Sequence, residues 1–324
     1  MKTAGYAVAH WAVDFCCALL LLGSFSKDYR WMEILLLYNF SAFALQLPFG
    51  ILADRINRNH AVAAVGGALV ALSFLLVNLP LLCAVLAGCG NALFHVGGGI
   101  EILNESKKSA LKLGLFVAPG ALGLFLGSQL SGIGFLFWLA PALLGAASLL
   151  LFLRASFSTQ NAPLCAPSFS AGLLSLFGVV VLRSFLGFCM DFSWNNTLLT
   201  AVAVVVGTVL GKAAGGILMD RVGYLPASIL SLGLATVLLL FPQNMVTGIL
   251  GIFFFQMTMP LTLFAAAEHC KGAKGFAFGL LTFGLFLGFV PKLLGCTPPC
   301  SGLLLSLGAL LSLGLLVLGR RESA

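Results

Sequence analysis

The chain has 324 residues, of which 60% are hydrophobic and only 8% are charged, and its mean hydropathy is +1.09. A soluble domain carries about 25% charged residues, so this chain has too few to cover itself with side chains compatible with water. The composition excludes a soluble globular protein and indicates a surface that faces lipid. The net charge of +7 does not indicate nucleic-acid binding, because the basic residues lie in short loops between apolar segments.

Twelve apolar segments follow one another with connections of a few residues. The predicted spans are 5–25, 32–53, 60–79, 81–103, 110–130, 133–153, 170–190, 197–219, 225–241, 244–266, 275–292 and 301–319. The first is expected to be a transmembrane helix and not a cleaved signal peptide, because it contains His10 and Asp14 and no small-residue cleavage site follows. One longer polar stretch, 155–168, separates six spans from six. We therefore predict an all-α membrane protein with two pseudo-symmetric six-helix bundles, 1–154 and 169–324, joined by a cytoplasmic linker.

Lysine and arginine are distributed unequally between the loops on the two sides of the predicted helices. If the N-terminus is cytoplasmic, the inner side holds Lys2, Arg55, Arg58, Lys107, Lys108, Lys112, Arg154, Arg221, Lys271, Lys274, Arg320 and Arg321. The outer side receives Lys27 and Arg30, with Lys292 near it. Cytoplasmic loops carry such an excess of basic residues. We therefore expect a multi-pass protein of the cytoplasmic membrane with both termini inside.

A loop motif that ends the second predicted helix is repeated at the end of the eighth. The first copy is Gly50-Ile-Leu-Ala-Asp54-Arg55-Ile-Asn-Arg58-Asn, and the second is Gly215-Gly216-Ile217-Leu218-Met219-Asp220-Arg221-Val-Gly223. Asp54 and Asp220 are separated by 166 residues, which is close to half of the chain. A helix–loop element repeated at that spacing is typical of internally duplicated transporters.

Both copies resemble the G-x-L-A-D-R-x-G-R-K loop signature of the major facilitator superfamily. The resemblance implies two bundles that rock about a central substrate site, with the loop motifs closing the cytoplasmic side. The residues predicted to take part in gating are Gly50, Asp54, Arg55, Arg58, Lys212, Gly216, Asp220 and Arg221. Lys212 corresponds, at the spacing of 166 residues, to Gln46 in the first half. It belongs to this set as a gate partner, and the alternative is a proton site.

Shorter motifs carry a narrower resemblance, to the fosmidomycin-resistance-like efflux carriers. They are His10-Trp-Ala-Val-Asp14, Gln46-Leu-Pro48-Phe-Gly50, Gly90-Asn91-Ala-Leu-Phe94-His95-Val-Gly97-Gly98 and Leu182-Arg183-Ser184. They are similar to that family's H-x3-D, Q-P-x-x-G, G-x-A-x-F-H-P-x-G and L-R-S patterns. The chain departs from the patterns at Leu47, Val96 and Gly97, and it is shorter than the usual members. The resemblance therefore implies export, but it does not carry over a substrate.

Ionisable side chains inside the predicted spans are candidates for function, because such a group costs at least a few kcal/mol at the middle of the bilayer. His10 and Asp14 are four residues apart and therefore share one face of their helix. An imidazole beside a carboxylate can exchange protons near neutral pH, so we predict proton coupling at this pair. A static hydrogen bond between helices is the alternative. Glu101 is expected to pair with Lys107 or Lys108.

The predicted substrate-binding residues are His95, Arg183, Asn39, Asn91, Trp194 and Gln256. Three glycines, 97–99, follow His95 and would allow a substrate to approach closely; the alternative is a hydrogen-bonded core histidine. Arg183 cannot easily lose its charge, so it would attract an anionic group or neutralise Asp14 or Asp191. The other four residues would line the cavity or bond between helices.

The outer loop contains Cys296-Thr-Pro-Pro-Cys300. This spacing is compatible with a disulfide in an oxidising compartment or with part of a thiophilic metal site, but two ligands alone do not make a site. No metal and no cofactor are therefore predicted.

These features predict a secondary active transporter for a small organic or anionic solute, driven by a proton gradient because no ATP-binding P-loop occurs. Efflux is favoured by the family resemblance, and proton-coupled uptake of a metabolite is the alternative. The expected partners are the substrate and the lipid bilayer, with no nucleic acid, and the protein is expected to be monomeric and not an enzyme. Two further alternatives stay open. An intramembrane enzyme using His10, Asp14 and His95 would turn over without a gradient, and a non-transporting membrane partner or sensor would co-purify with another subunit.

Overall fold

The computed structural model describes residues 2–107, 109–153 and 169–320, and no strand occurs among them. The predicted linker, 155–168, lies outside these residues. The α-helices are α1 Lys2–Phe25, α2 Trp31–Asn39, α3 Gln46–Ile56, α4 Asn59–Ser73, α5 Pro80–Ser106, α6 Ala110–Gln129, α7 Leu136–Leu153, α8 Ala171–Cys189, α9 Leu198–Val222, α10 Tyr224–Leu238, α11 Met245–Gln256, α12 Thr258–His269, α13 Lys274–Leu293 and α14 Gly302–Arg320. A π-helical turn, Phe40–Ala44, joins α2 to α3, and a 3-10 turn, Phe74–Leu76, follows α4.

The described helices form membrane spans in the predicted order. Eleven helical segments of the described chain are long and apolar enough to cross a bilayer, and α10 is a shorter apolar helix of 15 residues. Two spans consist of two α-helices each: α2 with α3 over Trp31–Ile56, and α11 with α12 over Met245–His269. The twelve predicted segments are therefore confirmed as helices, with ends that differ by a few residues.

Prolines account for the irregular backbone inside these two spans. Pro260 has no N–H to donate to the carbonyl of Gln256, four residues earlier, and α11 ends at that residue. Pro48 in the same way leaves the carbonyl of Ala44 without its usual donor, and the helix widens into the π turn just before it. The side chain of Gln46 donates to a backbone carbonyl one turn earlier, at 2.6 Å, and is buried there.

Contacts divide the chain into two compact units. Unit 1 comprises Met1–Glu105, Pro119–Pro167 and Lys271–Phe283, and unit 2 comprises Ser106–Ala118, Ser168–Cys270 and Gly284–Ala324. The first residues of α6 therefore belong to unit 2, and the first residues of α13 belong to unit 1. The predicted bundles, 1–154 and 169–324, stay a prediction.

Close helix contacts in unit 1 depend on small residues. A Cβ added to Gly66 of α4 would lie 2.6 Å from the carbonyl oxygen of Gly90 on α5, and one added to Gly97 would lie 2.5 Å from the backbone of Ala63. Glycine lets two helix backbones approach in a bilayer, where packing and not the hydrophobic effect holds helices together. These contacts fix α5, which carries Asn91 and His95, against α4.

The helices α8, α10 and α14 pack together in unit 2. The α14 helix packs along both α8 and α10, and α9 packs along α11. The hydroxyl of Tyr224, at the start of α10, donates to the carbonyl oxygen of Leu316 on α14 at 3.2 Å. Leu186 and Leu305 are fully buried in this unit. This packing holds the turn of α8 that carries Arg183.

Candidate functional site

Three ionisable side chains meet in the interior of unit 1. His10 Nε2 lies 3.2 Å from Asp14 Oδ2, as expected for residues one turn apart on α1. His95 reaches them from α5, with its Nε2 atom 2.8 Å from His10 Nε2 and 3.8 Å from Asp14 Oδ1. His10 is 5% exposed and Asp14 is 7% exposed. We call these three residues the histidine–aspartate cluster.

Asn91 determines the orientation of the cluster from α5. Its side-chain amide donates to Asp14 Oδ1 at 3.0 Å. Its backbone carbonyl lies 2.9 Å from His95 Nδ1. A carbonyl can only accept, so His95 Nδ1 carries a proton, and Nε2 is an acceptor when the ring is neutral. In that state the proton in the bond between the two rings is on His10 Nε2, which also lies beside the Asp14 carboxylate.

This hydrogen-bond arrangement limits how the cluster can take up another proton. A proton added to His95 Nε2 would face the N–H of His10, so the bond between the two rings would break. Asp14 Oδ1, at 3.8 Å, is an acceptor that the new N–H could reach. Binding of a further proton at His95 Nε2 would thus require a movement of the rings.

A glycine of α6 makes room for the cluster. A Cβ added to Gly120 would lie 2.4 Å from His10 Nε2 and 2.5 Å from Asp14 Oδ2. The ring of Phe94 lies 6.3 Å from that of His10 and shields the other side. The pair is therefore enclosed between α5 and α6, away from lipid.

The same three side chains could hold a metal ion. One ligand atom from each lies within 4.8 Å of the others. Two imidazole nitrogens and a carboxylate oxygen are donors that zinc and other transition metals accept. The prediction that no metal is bound stays a prediction.

Arg183 lies in α8 of unit 2 and is 7% exposed. Among the described residues its Nη1 atom has no hydrogen-bond partner, and no carboxylate forms an ion pair with it. A charge buried without a partner costs several kcal/mol. The predicted neutralising role is therefore not seen in the described chain, and the arrangement favours the other prediction, an anionic ligand.

Of three other predicted binding residues, two have local hydrogen-bond partners. The side chain of Asn39 donates to a carbonyl one turn earlier in its own helix, at 2.7 Å. The indole N–H of Trp194 donates to the carbonyl oxygen of Pro242 at 2.9 Å. Gln256 ends α11 at the proline break. Nothing in the described contacts connects them with the cluster or with Arg183, and their role in binding stays a prediction.

Sequence reasoning missed a second buried group in unit 1. His60 Nε2 lies 3.0 Å from Glu101 Oε2, and the hydroxyl of Tyr6 is hydrogen-bonded to His60 Nδ1. Asn59 donates to the other carboxylate oxygen of Glu101 at 3.2 Å. Glu101 was expected to pair with Lys107 or Lys108; the structure pairs it with His60, and Lys108 is outside the described residues. The one signal in the sequence was the spacing of four residues between Tyr6 and His10.

Asp54 caps the start of α13 within unit 1. Its two carboxylate oxygens accept the backbone N–H groups of Gly275 and Phe276, both at 2.8 Å. These N–H groups belong to the first turn of α13, where no intrahelical acceptor exists and where negative charge is favoured. One turn before Asp54, a Cβ added to Gly50 would lie 2.0 Å from the carbonyl oxygen of Gly275. We call this contact the Asp54 cap.

Asp220 makes the corresponding contact within unit 2, at the start of α6. Its carboxylate accepts the N–H groups of Ala110 at 2.6 Å and Leu111 at 3.2 Å, and the hydroxyl of Ser109 at 2.6 Å. A Cβ added to Gly216 would lie 2.5 Å from the carbonyl oxygen of Ala110. This is the Asp220 cap. The repeat seen in the loop motifs thus extends to the helix that each aspartate contacts.

The correspondence continues one turn further along these helices. A Cβ added to Gly279 of α13 would lie 2.3 Å from the carbonyl oxygen of Gln46, and one added to Gly114 of α6 would lie 2.6 Å from that of Lys212. Lys212 also donates from Nζ to the carbonyl oxygen of Val117, at 3.4 Å. Gln46 and Lys212 were matched from the sequence, and their backbones make equivalent contacts.

The basic residues of the two motifs lie at the surface. Arg55, Arg58 and Arg221 are exposed. Between the first two, Asn57 ends α3 in the left-handed conformation, with φ of 52°. The signature has glycine at this position, and asparagine is the side chain that next most readily adopts positive φ. The departure from the signature is therefore compatible with the same turn.

The contact at Gly50 predicts a stability difference between two glycine substitutions. Gly50→Ala should destabilise the protein by about 1–3 kcal/mol, because the added methyl group meets a backbone oxygen that cannot move independently. Gly233→Ala in α10, where an added Cβ has nothing within 4 Å, should be neutral or stabilising by up to ~1 kcal/mol. Thermal unfolding in detergent would measure both. Equal melting temperatures for the two variants would contradict the close contact.

Cys296 and Cys300 are both free thiols in the structure. Cys296 is exposed, while Cys300 is partly buried. Burial, and then the charge of Asp191, raise the pKa of the Cys300 thiol. At a given pH, less of Cys300 is therefore in the reactive thiolate form than for a fully exposed cysteine. The spacing that suggested a disulfide does not produce one in this structure.

No protein-family profile and no curated protein matches this sequence. Solved structures do match. A fucose:proton symporter of E. coli, FucP, has a TM-score of 0.71 at 13% identity, with 99% of this chain and 98% of that chain covered. The structure of FucP in an outward conformation has a TM-score of 0.66 at 12% identity, with 99% of each chain covered. A bacterial homologue of the iron transporter ferroportin, in an outward-facing state, gives 0.60 at 15% identity, with 100% and 98% covered.

Identities this low show the fold and do not assign a substrate. The matches extend over nearly the whole chain, and FucP is described as a major facilitator superfamily transporter. They agree with the eleven described helical segments that are long and apolar enough to cross a membrane. The chain is therefore a multi-pass membrane protein with the major facilitator fold.

Proposed function

We propose that this protein is a secondary active transporter that couples the movement of a small organic anion to protons. The observation that carries the proposal is the burial of His10, Asp14 and His95 together inside membrane-spanning helices. Ionisable groups at such a depth are costly and usually serve transport or proton relay. The fold supports transport in preference to catalysis, and one protein with this fold is named as a proton symporter.

The histidine–aspartate cluster would bind and release the coupling proton. In the described arrangement His95 Nε2 accepts a hydrogen bond from His10, so a further proton must displace that bond. The protonated and deprotonated forms of the cluster therefore need different ring positions. Such a difference is what allows a proton to change the equilibrium between two conformations of a carrier.

Arg183 would bind the anionic group of the substrate. A guanidinium offers five N–H donors in a fixed plane that matches a carboxylate or a phosphate. Its burial without a described partner makes the substrate the natural counter-ion. This charge supports an anion over a neutral organic solute, both of which the sequence left open.

The Asp54 and Asp220 caps would be gating contacts. Each joins a residue near the end of one span to the first turn of a helix more than a hundred residues away in the sequence. Hydrogen bonds from backbone N–H groups to a carboxylate can break and re-form without a covalent change. We propose that the caps hold one conformation of the carrier and open in the other.

Export is the proposed direction, on the resemblance to efflux carriers, and uptake of a metabolite is the alternative. A location in the cytoplasmic membrane with both termini inside, and a monomeric state, are also proposed. A panel of metabolites and antibiotics in a thermal-shift assay would identify ligands. Proteoliposomes loaded with a pH-sensitive dye would then show whether each ligand moves protons. Ligands that move without any proton movement would refute proton coupling.

Arg183→Gln tests the anion site and has two opposite effects. The unliganded protein should become more stable, because a buried charge without a partner is removed. Anion affinity should fall by about 3–5 kcal/mol, which is on the order of 100-fold or more. Arg320→Gln, which removes an exposed arginine at the end of α14, is the matched control and should change neither quantity. Wild-type affinity in Arg183→Gln would exclude the anion site.

A further inference from the structure

A run of polar side chains continues from the histidine–aspartate cluster to one end of unit 1. The α1 helix contributes Asp14, His10, Tyr6 and Thr3, at spacings of four, four and three residues, so all lie on one helix face. The side chains that meet them are Asn91, His95 and Glu105 of α5 and His60 of α4, and His60 in turn contacts Glu101 of α5. We call this set the polar seam. Such residues are energetically costly at a position that faces lipid, so this helix face is expected to pack against other helices.

The middle of the seam is a second group of titratable side chains. Tyr6 stacks on His60 with ring centroids 5.8 Å apart, and its hydroxyl is hydrogen-bonded to His60 Nδ1. On the other side of the ring, Nε2 lies 3.0 Å from Glu101 Oε2. The side chains of His60 and Glu101 are 12% and 8% exposed. A phenol, an imidazole and a carboxylate are therefore connected by hydrogen bonds in a buried place.

The seam reaches the end of α1 through Glu105. The hydroxyl of Thr3 donates to Glu105 Oε2 at 3.2 Å, one turn beyond Glu101 on α5. Lys2 is exposed and borders the same cavity as Tyr6 and His60. The first turn of α13 contributes Lys274, which donates to Asn104 Oδ1 at 2.9 Å, three residues beyond Glu101 on α5. Asn59, which donates to Glu101 Oε1 at 3.2 Å, is a further polar neighbour of the second group.

We infer that Tyr6, His60 and Glu101 form a second proton-binding site, through which protons pass between the histidine–aspartate cluster and the end of unit 1 marked by Thr3 and Glu105. This inference rests on the proposed function. It goes further because it assigns a path and three residues to the movement of protons away from the coupling site.

The transfer is a sequence of proton exchanges that leaves each side chain as it began. Tyr6 gives its hydroxyl proton to His60 Nδ1, and His60 gives the proton of Nε2 to Glu101 Oε2. Tyr6 regains a proton from the direction of His10, one helical turn away, or about 6 Å along the axis. A single bridging water would span a gap of that size. Glu101 then releases its proton towards Glu105. His60 regains its first tautomer by giving the Nδ1 proton to a water molecule and taking a proton from water at Nε2, so no net proton is gained or lost in this step.

The rate at which Asp14 becomes protonated tests this path without any substrate. Purified protein in detergent would receive a rapid proton jump from a photolysed caged acid. Time-resolved infrared spectroscopy would follow the protonated carboxyl band, assigned to Asp14 by its loss in Asp14→Asn. Glu101→Gln and His60→Asn should each slow the appearance of the Asp14 band by about tenfold or more. The equilibrium amplitude of the band at each pH should stay unchanged. Glu33→Gln, a change of the same kind at an exposed position of α2, should leave the rate at the wild-type value.

The possible results separate the path from the coupling site. Wild-type rates in both seam variants would overturn the path and leave the coupling site intact. A shift of the equilibrium amplitude without a change in rate would show a purely structural role and would also overturn it. Absence of an Asp14 band at any pH in the wild type would refute proton binding at the cluster, and it would refute the proposed path as well. Restoration of the rate in Glu101→Asp, which keeps a carboxylate, would support the path.

Discussion

Asp14→Asn is expected to reduce proton-driven transport by on the order of 100-fold or more, because the variant removes the buried carboxylate that would take part in binding the coupling proton. Asparagine keeps the size of the side chain and an oxygen for the amide of Asn91, but it cannot bind the coupling proton. Its own amide nitrogen would instead face His10 Nε2, 3.2 Å from the present carboxylate oxygen. The measurement is the initial rate of solute flux in proteoliposomes under an imposed pH gradient.

A second measurement on the same variant separates coupling from folding. Exchange of labelled solute at equal pH on both sides needs no net proton transfer, so it should stay within about twofold of the wild type if the fold is intact. Asp28→Asn is the matched control, because Asp28 lies in a loop and pairs with Arg30 at 3.7 Å. It should retain gradient-driven flux. Full flux in Asp14→Asn would remove the cluster from the coupling mechanism.

The two aspartate caps predict local changes that can be measured separately. In Asp54→Asn one carboxylate oxygen becomes an amide group that cannot accept a hydrogen bond, so one N–H in the first turn of α13 loses its partner. A hydrogen bond to a charged group contributes about 1.5–3 kcal/mol, so amide hydrogen exchange at Gly275 and Phe276 should become roughly ten- to a hundredfold faster. Asp220→Asn should have the same effect at Ala110 and Leu111.

Each variant is the control for the other. Asp54→Asn should leave exchange at the start of α6 unchanged, and Asp220→Asn should leave exchange at the start of α13 unchanged. Hydrogen–deuterium exchange with peptide mapping would resolve the two regions. If the caps are gating contacts, both variants should also lower the transport rate. Faster exchange with unchanged transport would limit the caps to a structural role, and unchanged exchange would exclude the contacts themselves.

Much of the fold could be predicted because a bilayer imposes simple requirements on sequence. A span needs about 20 apolar residues, and most charged residues lie between the spans, so the order of the spans follows from composition along the chain. Local periodicity also placed His10 and Asp14 on one face of α1. Both predictions depend on residues that are close in the sequence, and such relations need no knowledge of the tertiary structure.

The residues that meet across helices were harder to predict. His95 was expected to bind substrate, and the structure brings it to His10, 85 residues away. His60 was not singled out at all, although it pairs with Glu101. A helix in a membrane is apolar on all sides, so hydropathy does not show which face packs against a neighbour. That choice is made by small residues such as Gly97 and Gly120, which show their function only when the partner helix is known.

The sequence by itself determined that this is a membrane protein with a duplicated aspartate motif and charged groups in its spans, since burial of charge and length of apolar segments are local properties. Only the tertiary structure decided what the motif aspartates bind. Asp54 accepts N–H groups from residues 221 and 222 positions away, and backbone donors carry no side-chain signal in a sequence. The tertiary structure also left Arg183 without a described counter-ion, because whether a buried charge has a partner depends on which helices surround it.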